Sequence, residues 1–185
     1  MPLPNPELYT YFDYARWKGD ERYELIEGVP YLMAPAPSVL HQKISIRISH
    51  AIYDYLKGKK CSVFAAPFDV RLNGLGDMDD TVVQPDLSVI CNPSKLDEKG
   101  CNGAPDMVVE ILSPSTARHD SVTKYYLYKN SGIREYWIVD PELRTIAVHI
   151  FETGRYNVAA YDEMEKLSVY VLDNCEIFLK DIFED

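Results

Sequence analysis

The feature that most constrains this chain is an acid set inside an apolar run. Met107-Val108-Val109-Glu110-Ile111-Leu112 carries one carboxylate among strand-forming residues, and Asp86 opens a second such run, Leu87-Ser88-Val89-Ile90. Both runs are short and rich in branched side chains, the pattern of central strands buried on both faces. A carboxylate in such a strand must be paired, hydrogen-bonded, neutralised or bound to a metal. The plain alternative is a structural ion pair or a strand-end carboxylate facing water. If the two strands are neighbours, Asp86 and Glu110 converge.

The rest of the chain supplies a frame for them. Glu7 to Lys18 reads as a short helix, and Tyr23–Ile26 and Val29–Met33 as two strands turning at Glu27-Gly28. From His41 to Leu56, apolar residues recur at Ile44, Ile48, Ala51, Ile52 and Tyr55, the spacing of an amphipathic helix that Gly58 ends. Cys61–Leu72 is strand material interrupted at Pro67, and Asn73–Asp80 is a polar loop. Ser113-Pro114 breaks the Glu110 strand, and a helix is expected from Asp120, a good N-cap residue, to Asn130. Tyr136–Val139 is a further strand, followed by a hairpin of Thr145–Phe151 and Arg155–Tyr161 turning at Thr153-Gly154. The order helix, strand, strand, strand, helix, strand implies an α/β or α+β sheet covered by helices.

At 185 residues and 46% hydrophobic, the chain suits one domain with a buried core. The start, Met1-Pro2-Leu3-Pro4-Asn5-Pro6, has neither the basic opening nor the apolar run of an export signal. Nothing approaches the ~20 apolar residues that cross a bilayer, so a cytoplasmic protein with no membrane partner is expected. Cys61, Cys91, Cys101 and Cys175 lack the close pairs of zinc sites and are expected as reduced thiols. The net charge of −10 does not suggest a phosphate-binding surface. The excess is uneven, however: Tyr161–Asp185 holds eight acidic and two basic residues. That segment reads as an acidic tail beside a more nearly balanced body.

Two convergent acids, without a Ser–His–Asp triad, a Gly-rich phosphate loop or clustered histidines, point to one hard cation. Mg²⁺ favours one or two protein carboxylates completed by water and phosphate oxygens. Such an ion polarises a phosphate and activates water for hydrolysis.

Several stretches together resemble the Uma2 family of the PD-(D/E)xK, restriction-endonuclease-like nucleases. They are Glu21–Gly28, Ala34-Pro35-Ala36-Pro37, Val82-Val83-Gln84-Pro85-Asp86, Gly103–Asp106 leading into Val109–Thr116, and Arg134–Pro141. The likeness runs from about Glu21 to Phe183. It implies a restriction-endonuclease-like core, a central mixed sheet flanked by helices, with extra N-terminal and C-terminal hairpins. The corresponding division is a helix and hairpin over 1–40, the core over 41–140, and strands with the acidic tail over 141–185. It also implies a DNA endonuclease using Mg²⁺ or Mn²⁺, with Asp86 and Glu110 as metal ligands and duplex DNA as partner. A homodimer is expected where both strands are cut.

The wider superfamily has a lysine two residues after the glutamate, where this chain has Leu112. The Uma2 pattern moves the lysine into the next helix, where Lys124 matches it, against the plain reading of a solvated helix lysine. Lys124 would stabilise charge on the phosphate, and its removal is expected to leave folding nearly intact. Glu24 matches an acidic family position and would be an outer ligand or orient a water, or else be a strand-edge carboxylate. Gln84 is placed beside the site. His41 could touch phosphate from the helix start, although a surface histidine is the simpler reading. Ser115, Thr116, Arg118 and His119 would form a loop against the DNA backbone. Tyr125-Tyr126-Leu127-Tyr128 reads as core and interface. The rival function is a catalytically weakened nuclease fold serving as a nucleic-acid-binding or regulatory module, for which Leu112 and the negative charge speak.

Overall fold

Alternation along the two apolar runs divides the molecule into two cores. The computed structural model describes residues 7–34, 36–113, 119–152 and 155–184. Its strands are β1 (Tyr23–Ile26), β2 (Val29–Leu32), β3 (Ser62–Ala65), β4 (Val70–Arg71), β5 (Val82–Val83), β6 (Leu87–Ile90) and β7 (Leu96–Asp97). They continue with β8 (Gly100–Asn102), β9 (Met107–Ile111), β10 (Glu135–Asp140), β11 (Thr145–Glu152), β12 (Arg155–Asp162), β13 (Lys166–Ser168) and β14 (Glu176–Phe178). The helices are α1 (Tyr11–Tyr14), α2 (Val39–Leu56), α3 (Tyr125–Ser131) and α4 (Leu179–Phe183).

The main sheet runs β12-β11-β10-β9-β6-β3. It is mixed: β9 and β10 are parallel, while β6 lies antiparallel to β9 and to β3. A strand shows successive side chains to opposite faces. Accordingly Met107, Val109 and Ile111 join Leu87, Val89, Trp137 and Val139 in one core, and Ile44, Ile48 and Ile52 of α2 close it. On the other face Val108, Tyr136 and Ile138 pack with Tyr128 and Ile133. Val70, Val83 and Cys101 join that second core from another sheet, ordered β2-β1-β5-β4-β8-β7. Glu110 falls on this second face, between the two sheets.

The mixed sheet, its covering helices and both hairpins are present as expected of a restriction-endonuclease-like fold. The α2 helix begins at Ser38, whose hydroxyl accepts from the His41 N–H at 3.2 Å. The β1–β2 turn uses left-handed backbone at Glu27 (φ 50°) and Gly28 (φ 77°), as a two-residue hairpin requires. A Cβ at Gly28 would stand 2.9 Å from that of Leu8.

Four expectations need correction. The first helix is only the four residues of α1, because the partly apolar face of Glu7–Lys18 is taken by aromatic packing instead. The helix expected from Asp120 starts at His119 and winds as a π turn over His119–Lys124 before α3. Cys61 and Cys91 are disulfide-bonded, while Cys101 and Cys175 are free and buried. The β3–β6 register pairs Ser62 with Ile90, so the next residues out, Cys61 and Cys91, face each other. Finally, the acidic C-terminus is no tail: Leu167, Val169, Ile177, Leu179, Ile182 and Phe183 are buried in the α2-side core. Acids such as Asp173, Glu176 and Asp181 occupy exposed positions between them. The Thr153-Gly154 turn lies outside the described residues.

Glu135 ties that C-terminal segment to the sheet. Its carboxylate accepts from the Trp137 indole at 2.7 Å and the Val171 N–H at 2.9 Å. Burial outweighs both bonds and pushes the carboxyl up to about 7. The folded state therefore keeps a proton that the unfolded chain releases near 4.5. The contribution of Glu135 to stability should be full below that pH and be lost as pH rises to about 7, with a slope approaching about 1.4 kcal/mol per unit. Urea unfolding across pH 4.5–8 on the wild type and Glu135→Gln checks this. The variant should lose the slope, and an unchanged slope would assign it to other groups.

Candidate active site

Residues from both sheets and from the π turn meet at the end of β9. Glu110 enters from the main sheet, and Glu24 from β1 of the second sheet. Lys124 closes the π turn and is only 4% exposed. Its ammonium lies 2.9 Å from Glu110 Oε1 and 2.9 Å from Glu24 Oε1. The Tyr128 hydroxyl, one helical turn later, donates to the same Glu110 oxygen at 2.6 Å. The Gln84 backbone N–H donates to Glu24 Oε1 at 3.0 Å. Both carboxylates are buried, and each is held by charge-assisted hydrogen bonds. Burial, followed by the Glu110 and Glu24 anions, pushes the Tyr128 phenol well above its ordinary range, so it stays a donor.

Asp86 stands on the neighbouring strand. The β6–β9 register pairs Leu87 with Val109, so Asp86, the residue just before β6, stands at the strand end beside the Glu110 strand. Its Oδ2 accepts from the Ile111 N–H at 2.8 Å and lies 3.2 Å from His41 Nε2. Asp86 keeps 21% of its side-chain surface open to solvent, against 5% for Glu110.

The structure thus brings together Glu24, Glu110 and Lys124, with Gln84 bonded to Glu24 and Asp86 at the end of the neighbouring strand. Leu112 packs against the second core, and the cation reaches Glu110 from the π turn. Two roles escaped the sequence reading. His41 is buried against Asp86 rather than being a surface histidine. The signal was its place in the first turn of a capped helix, which carries no information about what that turn faces. Tyr128 is core, as expected, but also holds Glu110. Removal of Lys124 would leave two buried carboxylates uncompensated, so folding would not remain nearly intact. Ser115, Thr116 and Arg118 lie outside the described residues, as does the side chain of His119.

A family model for Uma2, described as "Putative restriction endonuclease", matches residues 10–177. An uncharacterized protein of Synechocystis sp. (strain PCC 6803) is 28% identical over 173 residues, covering 91% of this chain and 86% of its own. The crystal structure of a protein from Anabaena variabilis ATCC 29413, described as a "putative nuclease belonging to DUF820", superposes with a TM-score of 0.74. That likeness covers 94% of this chain and 97% of the other, at 21% identity. It extends the fold over nearly the whole chain.

Folds of this kind generally use a divalent metal, and the donor chemistry can be tested against that. Among the described residues, no three His, Cys, Asp or Glu side chains are grouped to hold an ion unaided. Asp86 and Glu110, on neighbouring strands, nevertheless offer carboxylate oxygens, Asp86 partly open to solvent and Glu110 engaged by Lys124 and Tyr128. Hard oxygen donors of this kind suit a divalent cation that completes its shell with water and phosphate.

Breaking the buried triad should be costly whatever it does chemically. Lys124→Met is expected to lower stability by about 3–5 kcal/mol, the scale for leaving buried charge unpaired. Tyr128→Phe, which removes one donor to a charged acceptor, should lower it by about 1.5–3 kcal/mol. Urea denaturation of the purified variants measures both. A Lys124→Met protein within about 0.5 kcal/mol of wild type, the range of a surface change, would contradict the buried geometry.

Proposed function

The chain belongs to the Uma2 family, and from that premise we propose that it hydrolyses phosphodiester bonds in duplex DNA as a metal-dependent endonuclease. The observation that carries this reading is the meeting of Glu24, Glu110 and Lys124 from three elements, with Asp86 at the end of the strand that pairs with the Glu110 strand. A purely structural ion pair would not require a third acid at the same strand ends.

Asp86 and Glu110 would hold Mg²⁺ or Mn²⁺, which supplies Lewis-acid polarisation of the phosphate and a lowered pKa for water. The protein's own groups prepare that site. The Ile111 N–H and His41 aim the Asp86 carboxylate, as partners beyond the ligands do at metal sites generally. Tyr128 and Lys124 hold Glu110 in one orientation. Lys124 supplies a compact positive charge for the phosphate as negative charge builds on its oxygens. Glu24 positions that ammonium and orients water. A homodimer would bring two such sites to the two strands.

The rival reading, a binding or regulatory module, draws on the same triad: an ammonium engaged by two acids has its charge already balanced. Incubation of supercoiled plasmid with the full chain separates the two. Nicking is expected with Mg²⁺ or Mn²⁺ and none with chelator. Asp86→Asn and Glu110→Gln should each lower the rate on the order of 10²-fold or more. Plasmid left intact in both metals, with DNA still bound, would replace the hydrolase by the binding module.

A further inference from the structure

A second feature of the same region has no part in holding Glu24, Glu110 or Lys124. The N-terminal aromatic residues gather around Trp17, whose ring lies 5.3 Å from Tyr9, 5.5 Å from Tyr14 and 5.6 Å from Tyr23, centroid to centroid. All three tyrosines stand steeply to the indole, at 83°, 62° and 79°. None of the four is fully buried. They line a pocket of about 520 Å³ together with Lys18, Arg22 and one acid, Glu21, within the range of small-molecule sites.

Its walls are tied down before anything enters. The Tyr14 hydroxyl accepts from Gln84 Nε2 at 3.0 Å and donates to Asp69 at 3.3 Å. The Tyr23 hydroxyl donates to Glu21 at 2.6 Å. The Arg22 guanidinium donates to the Gln84 side-chain oxygen. Gln84 is also the residue whose backbone N–H binds Glu24. One residue therefore joins the pocket wall, through its side chain, to the carboxylate cluster, through its backbone.

We propose that this pocket receives an unstacked nucleobase of the DNA strand, stacked on the Trp17 indole with the steeply inclined tyrosines against its edges, and with Lys18 and Arg22 meeting the neighbouring phosphates. The chemistry selects that ligand. Aromatic walls favour a planar π system over an aliphatic chain. Two exposed cations beside them favour an anionic group attached to that planar system. A nucleotide carries both. The choice of DNA rests on the nuclease reading. It deepens that reading, because a site which takes an unstacked base favours strands where the base is already unpaired.

The experiment measures binding in chelator, so that catalysis does not enter. Fluorescence anisotropy compares a labelled single-stranded oligonucleotide with an abasic strand of the same length and charge, each titrated with the full chain. Wild type should bind the base-bearing strand about 10-fold or more tightly, the scale of base–aromatic stacking. Trp17→Leu should erase the difference, and Trp17→Phe should keep most of it. Intrinsic fluorescence gives a second measurement that needs no variant. Trp137 is fully buried, so quenching by the base-bearing strand but not the abasic one reports Trp17. Equal binding of both strands by wild type, or discrimination surviving in Trp17→Leu, overturns the proposal even if plasmid is still nicked. Discrimination without nicking would keep the pocket and remove the hydrolase.

Discussion

The ammonium of Lys124 between Glu24 and Glu110 is the interaction on which the arrangement depends. Each of these groups would be costly to bury alone. Placed 2.9 Å from both carboxylates, the lysine offsets much of that cost and makes three elements interdependent. The main sheet contributes Glu110 through β9, the second sheet contributes Glu24 through β1, and the π turn contributes the cation. Apolar packing between the sheets, through Val70, Val83, Val108 and Ile138, would be satisfied by many relative placements. The triad admits far fewer, because the ammonium must reach both acids. Tyr128 narrows them further by fixing the Glu110 oxygen that the lysine also uses.

That dependence explains what could be read in advance. Asp86 and Glu110 stood out because carboxylates in apolar strands violate a strong local rule, and their strands are indeed neighbours. The α2 stripe of Ile44, Ile48 and Ile52 was equally visible because helical periodicity is local information. Lys124 and Glu24 carried no such violation, and only the family resemblance drew attention to them. The second sheet was mostly illegible: β4, β5 and β7 have two residues each, too few for alternation to register. The Cys61–Cys91 pair depends on the β3–β6 register, which no spacing in the chain reveals. The folding of the C-terminus was hidden by its charge, since acids on alternate exposed positions look like a tail unless the buried partners are counted.

The acidic excess also takes on a different meaning in three dimensions. Asp97 forms an ion pair with Arg71, Asp77 with Lys99, and Asp54 with Lys57. The Arg71 and Lys99 bonds hold Asp97 and Asp77 below the ordinary carboxylate range, as Lys57 does for Asp54. Such pairs neutralise one another locally and leave the net charge of −10 to be set by the acids outside them. Association is governed by the local field at the approach, not by the sum over the chain.

The two strand-end acids differ in a way that bears on how a cation would be taken up. Glu110 is enclosed and already shares an oxygen between an ammonium and a phenol. Asp86 is aimed by a backbone N–H and an imidazole but stays partly in contact with water. On the proposed reading Asp86, the more open of the two, and Glu110 would hold a divalent cation, which would supply Lewis-acid polarisation of the phosphate. Lys124, held between Glu24 and Glu110 in the protein itself, would then serve two ends with one group: it offsets the burial of two carboxylates and stabilises negative charge on the phosphate.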